Sequence, residues 1–245
     1  MLGSLRERYK KAMMPIGRAL ARTGLTPNMI TGLTVLVSIF TAYLFYLGDL
    51  LLGFAFMLLT VVMDMFDGAV ARAANLASPF GATFDHTLDR YAEFFFMFGL
   101  MAGPAIQPSI TWWSLSSNIT FVPWQWGFLA LFGMIMASFS RAKAESVGGM
   151  NDCAVGIAER QEKLLLTFAG ILLLALPPTN IWMDLLAVFP PIFTEFFLSI
   201  GITNILTFCI ALVAILSHFT VYQRLAYANK IIREKNSEED ETELQ

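Results

Sequence analysis

Residues 61–93 read VVMDMFDGAVARAANLASPFGATFDHTLDRYAE and contain four aspartates, Asp64, Asp67, Asp85 and Asp89, at the edges of long apolar runs. A carboxylate in such a position is costly unless it faces a cavity or a partner. Only Arg72 and Arg90 are near in sequence, so the acids outnumber the local cations. A buried salt-bridge network would leave two of the four acids without a partner, which argues against that alternative. Several carboxylates together offer hard oxygen ligands, which suit Mg²⁺ or Mn²⁺, with phosphate oxygens completing the shell. Four of them are more than one ion needs, and they admit a two-metal site.

The spacing places these residues on faces. On a helix advancing about 100° per residue, Asp64, Asp67, Gly68, Ala71 and Arg72 share one side. Gly81, Asp85 and Asp89 form a second stripe at successive i+4 positions. Gly68, Ala71 and Gly81 keep that surface low, so a bulky ligand could lie against the backbone. Taken alone, such small residues fit close helix packing equally well. Arg72 is placed to neutralise a phosphate. His86 is rotated about 100° from Asp85 and is expected beside the site rather than in it. Glu93 continues the stripe, either as a supporting hydrogen-bond group or as ordinary helix surface.

The elements that carry these stripes must be membrane helices. The chain has 245 residues, of which 56% are hydrophobic and 14% charged, with net charge −3; mean hydropathy is +0.62. A soluble domain carries about 25% charged residues. A disordered body is excluded by the apolar content. A nucleic-acid partner is excluded by the absence of a basic aromatic surface, and a β-barrel by unbroken apolar runs. The expected fold class is all-α: one polytopic domain over residues 1–233 with six spans near 28–47, 50–63, 79–103, 121–140, 164–176 and 197–222. All sixteen Lys and Arg fall before the first span, around the second-to-third link, between the fourth and fifth, and after the sixth. That distribution places both termini, and the meeting point of the Asp stripes, in the cytosol. Residues 1–25 form a basic juxtamembrane segment. Their first 20 residues fit a cytosolic surface helix on anionic headgroups as well as a plain topology-setting flank. Residues 234–245 are acidic and predict a disordered tail. Residues 179–196 read as an outer interfacial segment. Cys153 and Cys209 form no metal or redox pattern.

Asp64, Asp67, Gly68, Ala71, Arg72, Gly81, Asp85 and Asp89 fit D-x2-D-G-x2-A-R-x8-G-x3-D-x3-D at every position. This resembles the signature of the CDP-alcohol phosphotransferase family, and the likeness extends over most of the chain. The resemblance implies two divalent metals, a CDP-lipid donor, attack by an alcohol on the lipid-bearing phosphate, and release of CMP. It implies that Asp64, Asp67 and Asp85 are metal ligands, and that Asp89 is the general base and also touches a metal. It implies that Asp67, Gly68, Ala71, Arg72 and Gly81 line the nucleotide site. A homodimer is also implied.

The stretch Asp85-His86-Thr87-Leu88-Asp89-Arg90 is similar to the D-x-T-L-D-R form of phosphatidylinositol phosphate synthases and their archaeal counterparts. Ser138-Phe139-Ser140-Arg141-Ala142-Lys143-Ala144-Glu145 resembles that subgroup's S-Y-x-R-A-R-A-E segment, with Lys143 in place of Arg. Gly156-Ile157-Ala158-Glu159-Arg160 and Gln223-Arg224 resemble two further segments, although Lys163 stands where a second Arg is usual. The resemblance implies inositol phosphate as acceptor, its phosphate held by Lys143, Arg160 and Arg224. The donor would be CDP-diacylglycerol or CDP-archaeol. Topology-setting interfacial charge accounts for any one of these cations singly. Glycerol phosphate, serine or another alcohol would leave the Asp roles unchanged. A divalent-cation transporter is a third reading, but it would place acids near the bilayer midplane in paired repeats, and no repeat is present.

Overall fold

The computed structural model describes residues 13–103, 120–150, 153, 155–176 and 181–243. Residues 1–12 of the basic segment and 179–180 of the interfacial segment lie outside them. Every regular element among the described residues is a helix. The chain divides into two compact units, Met1–Pro104 and Ala105–Gln245.

The first unit holds α1 (described over 13–22), α2 (Pro27–Tyr46), α3 (Leu50–Ala73) and α4 (Pro79–Ala102). Each of the last three begins on a side-chain cap. Thr26 Oγ1 accepts from the Met29 amide at 3.3 Å, Asp49 Oδ1 from Leu52 at 3.1 Å, and Ser78 Oγ from Gly81 at 3.0 Å. Pro27 and Pro79 open their helices where no amide is needed. The α3–α4 turn is set by Asn75, whose φ of 53° closes the helix while the Leu76 amide reaches back to the Ala71 carbonyl at 2.9 Å. α2 packs on both α3 and α4. Its buried Thr34 and Thr41 donate to carbonyls one turn back, so they add no unpaired group to the interior. Close approach depends on glycine: a Cβ on Gly99 would stand 2.6 Å from Ala42 Cα.

The second unit holds α5 (Trp124–Ser146), α6 (Arg160–Ala175), the short α7 (Ile181–Leu186) and α8 (Pro191–Ser199), and α9 (Ile205–Glu243). α5 and α9 run parallel. Gly133 meets Ser217, and fifteen residues along both helices Gly148 meets Ile232. α6 lies on α9 through Gly170, beside Leu206 and Cys209. Trp182 of α7 is buried against Phe197 of α8 and Phe208 of α9.

Three helices, Pro27–Tyr46, Leu50–Ala73 and Ile205–Lys235, are long and apolar enough to cross a membrane. Three of the six expected spans therefore stand on length and composition. α4 and α5 match them in length but carry internal charge, and α6 has 16 residues. The last span begins at Ile205 rather than Phe197. Gly201 (φ 80°) breaks the chain, and Asn204 restarts it, accepting from the Thr207 amide at 2.8 Å and donating to the Phe121 carbonyl at 3.0 Å. α9 is helical to Glu243. Glu and Lys are good helix formers, and Lys230 and Glu234 sit 3.8 Å apart one turn along.

Gly99→Ala should lower thermal stability in detergent by about 1–3 kcal/mol through overpacking against Ala42. Gly32→Ala, where a Cβ meets nothing within 4 Å, should be neutral or stabilising by about 1 kcal/mol. Thermal unfolding of the two variants side by side checks this.

Candidate functional site

The hairpin of α3 and α4 brings its two acidic stripes together. Asp64 and Asp67 precede the Asn75 turn, and Asp85 follows it in the second turn of α4. One carboxylate oxygen from each of Asp64, Asp67 and Asp85 lies within 4.8 Å of the others. Asp67 is buried, whereas Asp64 and Asp85 are half-buried. Asp67 is held at both of its oxygens. Thr31 Oγ1 of α2 donates to its Oδ2 at 2.8 Å, and the Gly68 amide donates to its Oδ1. Both oxygens are thus fixed in direction by donors that add no positive charge.

Asp89 stands one turn further along α4, outside that trio, with its side chain 12% exposed. Arg90 lies between two acids, 3.9 Å from Asp89 and 2.8 Å from the buried Glu93. Glu93 therefore holds Arg90. The Arg72 guanidinium folds over Gly68, 3.2 Å from where a Cβ there would stand. Gly81 sits on the Ser78 cap with the Asn28 amide oxygen close by. His86 is exposed, its Nδ1 2.8 Å from the Ala82 carbonyl and 3.8 Å from Asp85 Oδ2, so it stands beside the site at its open edge. The donor set fits a hard divalent cation: three convergent carboxylates of like charge, all oxygen, with Thr31 and Gly68 orienting one of them.

The second unit carries the basic residues. Arg224 of α9 is buried; its Nε donates to the Val155 carbonyl at 2.9 Å and its Nη1 to the Ala137 carbonyl. Gln223 accepts from the Ile157 amide at 2.8 Å, and Thr220 donates to the Ala158 carbonyl at 3.4 Å. The Gln-Arg pair thus fastens the 155–158 strap onto α9. Gly156 (φ 151°) sits beneath it, where a Cβ would lie 2.5 Å from Thr220. A guanidinium has five N–H donors, so Arg224 keeps capacity beyond its two carbonyls.

Arg141, Glu145 and Glu159 stand close enough to act on the charge of Arg224. Arg141 Nε pairs with Glu145 Oε1 at 2.8 Å, and the Cys153 amide donates to the same oxygen at 3.1 Å. Lys143 is elsewhere. Two residues along α5 turn it about 200° from Arg141. Its amine lies 5.8 Å over the Phe139 ring, on the groove lined by Leu225 and Lys235. Of these two cations, Arg141 is the one that acts on Arg224 here. The helical period alone could have separated these two positions, because they lie on opposite faces. Arg160 is exposed at the start of α6.

Partial burial works to raise the Glu145 carboxyl, but the Arg141 guanidinium and the Cys153 amide outweigh it and hold the group below its ordinary 4.5. A folded-state value below the unfolded one contributes stability that is complete above the unfolded value and is lost as pH falls through the folded one. Glu145→Gln should therefore be less stable than the unmodified protein near pH 7. The difference should shrink as pH drops below 4.5; thermal melts from pH 7 to 4 check it.

A family model for CDP-alcohol phosphatidyltransferases matches residues 24–193. The archaetidylinositol phosphate synthase of Pyrococcus horikoshii is 33% identical over 172 residues, covering 70% of this chain and 82% of that one. The phosphatidylinositol phosphate synthase of Mycobacteroides abscessus is 31% identical over 170 residues, 67% of this chain and 70% of that one. Among solved structures, the phosphatidylinositol phosphate synthase of Mycobacterium tuberculosis with CDP-DAG bound superposes with a TM-score of 0.66. It has 26% identity and covers 89% of this chain and 94% of that one. The same enzyme in complex with manganese and citrate gives a TM-score of 0.66 at 27% identity, covering 88% of each chain. The Asp hairpin thus lies inside the matched segment, and the chain belongs to the CDP-alcohol phosphatidyltransferase family.

Proposed function

We propose that this integral-membrane enzyme transfers a phosphatidyl-type group from a CDP-lipid to a hydroxyl of inositol phosphate, releasing CMP. The observation that carries the reading is the convergence of Asp64, Asp67 and Asp85 within 4.8 Å. These three, with Asp89 contributing, would hold two divalent ions, Mg²⁺ or Mn²⁺. When bound, such ions offset charge on the diphosphate and on departing CMP. The manganese of the Mycobacterium tuberculosis relative supports that assignment.

The chain's own residues do the rest. Gly68, Ala71 and Gly81 leave room for the nucleotide against the backbone, with Asp67 beside it. Arg72 faces its phosphates. Asp89 takes the proton from the acceptor hydroxyl. That oxygen then bonds to the lipid-bearing phosphorus, and the bond from this phosphorus to the CMP oxygen breaks. Arg141, Arg160 and Arg224 receive the acceptor's own phosphate, with Glu145 orienting Arg141. Two relatives named for inositol-phosphate products support this acceptor over glycerol phosphate or serine. We further read the apolar parts of α2 to α6 and α9, that of α5 ending near Ser140, as six spans, with both termini and the Asp hairpin on the cytosolic side. The clustering of Lys and Arg at those ends supports that orientation.

The test is CMP release by purified protein in detergent with Mg²⁺ and a CDP-lipid. Inositol phosphate, glycerol phosphate, inositol and serine are supplied in parallel. Release with inositol phosphate alone is expected, and release only with another acceptor would overturn the acceptor assignment. Asp89→Asn should cut the rate by about 10²–10⁴-fold. Arg141→Ala should raise KM for the phosphorylated acceptor by about tenfold or more, with the CDP-lipid KM little changed. Thr31→Val should raise the Mn²⁺ concentration needed for half-maximal rate by about 10–100-fold.

A further inference from the structure

We propose that Gln223 is a positioning residue for the acceptor's phosphate. By holding the Ile157 amide it fixes the downstream end of the 155–158 strap, and through it the start of α6 at Arg160. This role rests on the acceptor assignment above, and Gln223 acts in it through backbone.

The strap belongs to no helix or strand, so its amides and carbonyls need side chains or water as partners. Three side chains of α9 reach it at one crossing. Gln223 Oε1 accepts from the Ile157 amide at 2.8 Å, Arg224 Nε donates to the Val155 carbonyl at 2.9 Å, and Thr220 Oγ1 donates to the Ala158 carbonyl at 3.4 Å. The shares are unequal. Thr220 gives its hydroxyl to the Leu216 carbonyl of its own helix at 2.8 Å, so its hold on the strap is the weaker one. Arg224 holds the upstream end and is itself fixed from α5 through the Ala137 carbonyl. The short bond at the downstream end is the one from Ile157 to Gln223.

That end sets where α6 begins. α2, α3 and α4 each open on a side-chain cap. Glu159, at the head of α6, makes no capping hydrogen bond among the described residues, and the Lys163 amide reaches its carbonyl only at 3.4 Å. Without a cap of its own, the first turn takes its place from Ala158, which is buried at the end of the strap. Arg160 is the first residue of that turn. Ile157 is 60% exposed, so water can take over its amide when Gln223 is replaced. The fold then survives, and what changes is where Arg160 stands. Gln223 is also neutral, so replacing it separates position from charge, which a change at Glu145 or Arg224 does not.

Steady-state CMP release by the purified full chain in detergent, with Mg²⁺, a CDP-lipid and inositol phosphate, tests this. Gln223→Met keeps the length of the side chain and removes the acceptor oxygen. It should raise KM for inositol phosphate about tenfold, with kcat and the CDP-lipid KM within about twofold. Hydrogen exchange over 155–158 should become faster in the same variant. In an Arg160→Ala background, Gln223→Met should change the acceptor KM by less than about twofold, because the group it positions is gone. If Gln223→Met does not fold, Gln223→Asn, one methylene too short to reach Ile157, takes its place in both backgrounds. An acceptor KM that rises in Arg160→Ala but not in Gln223→Met would overturn the proposal and leave the acceptor assignment standing. So would a full multiplication of the two effects in the double variant, or a loss of kcat and of affinity for both substrates together, which marks general packing. An Arg160→Ala enzyme with an unchanged acceptor KM would remove Arg160 from the phosphate site and the proposal with it.

Discussion

Three carboxylates of like charge within 4.8 Å of one another, at the rim of apolar helices, are the constraint on which the first unit is built. At an effective dielectric near 20, each pair repels by roughly 3–4 kcal/mol at such a distance. No helix propensity brings them together. The caps at Asp49 and Ser78, the left-handed Asn75 and the close α2 contacts hold the hairpin in place whatever the charges prefer. Thr31 and the Gly68 amide then hold Asp67 by hydrogen bonds without neutralising it. The trio stays a net acceptor of positive charge, which is the property a metal-dependent transferase requires.

The second unit solves the opposite problem, a buried cation. Arg224 gives its Nε and Nη1 to carbonyls of α5 and of the 155–158 strap, so its charge is solvated by backbone dipoles. The same bonds fix the strap that precedes α6, and hence the place where Arg160 begins its helix. Glu145 acts similarly on Arg141 while also accepting the Cys153 amide. Arg224 is therefore positioned by carbonyls and Arg141 by a carboxylate.

Much of the first unit was legible from spacing. The i, i+3 and i, i+4 intervals placed Asp64, Asp67 and Asp85 on facing stripes, and the same period set His86 beside them. Thr31 was not legible, because its partner lies thirty-six residues away on another helix. A threonine in an apolar run ordinarily bonds only to its own backbone, as Thr34 and Thr41 do. In the second unit the motif set Arg141 and Lys143 two residues apart, and order along a chain does not say which of them faces Arg224. The break before α9 was hidden for a similar reason. Gly201 and Asn204 interrupt an otherwise apolar stretch too briefly to change its hydropathy, yet one positive φ and one capped amide suffice to end one helix and start the next.

The unequal apolarity of the long helices follows from the chemistry they carry. α2 and the membrane part of α9 have apolar runs long enough to stand as spans, and α3 keeps its acids near its end. α4 cannot: Asp85, Asp89, Arg90 and Glu93 occupy the half of the helix that must reach the site. The Arg90–Glu93 pair, 2.8 Å apart, lets the helix carry its inner charges among its neighbours rather than toward lipid. α5 ends similarly on Arg141, Lys143 and Glu145. The helices that fall short on composition are therefore those that bear the charged work of each unit. Their apolar deficit is the cost in hydropathy of the acidic cluster in one unit and the basic cluster in the other.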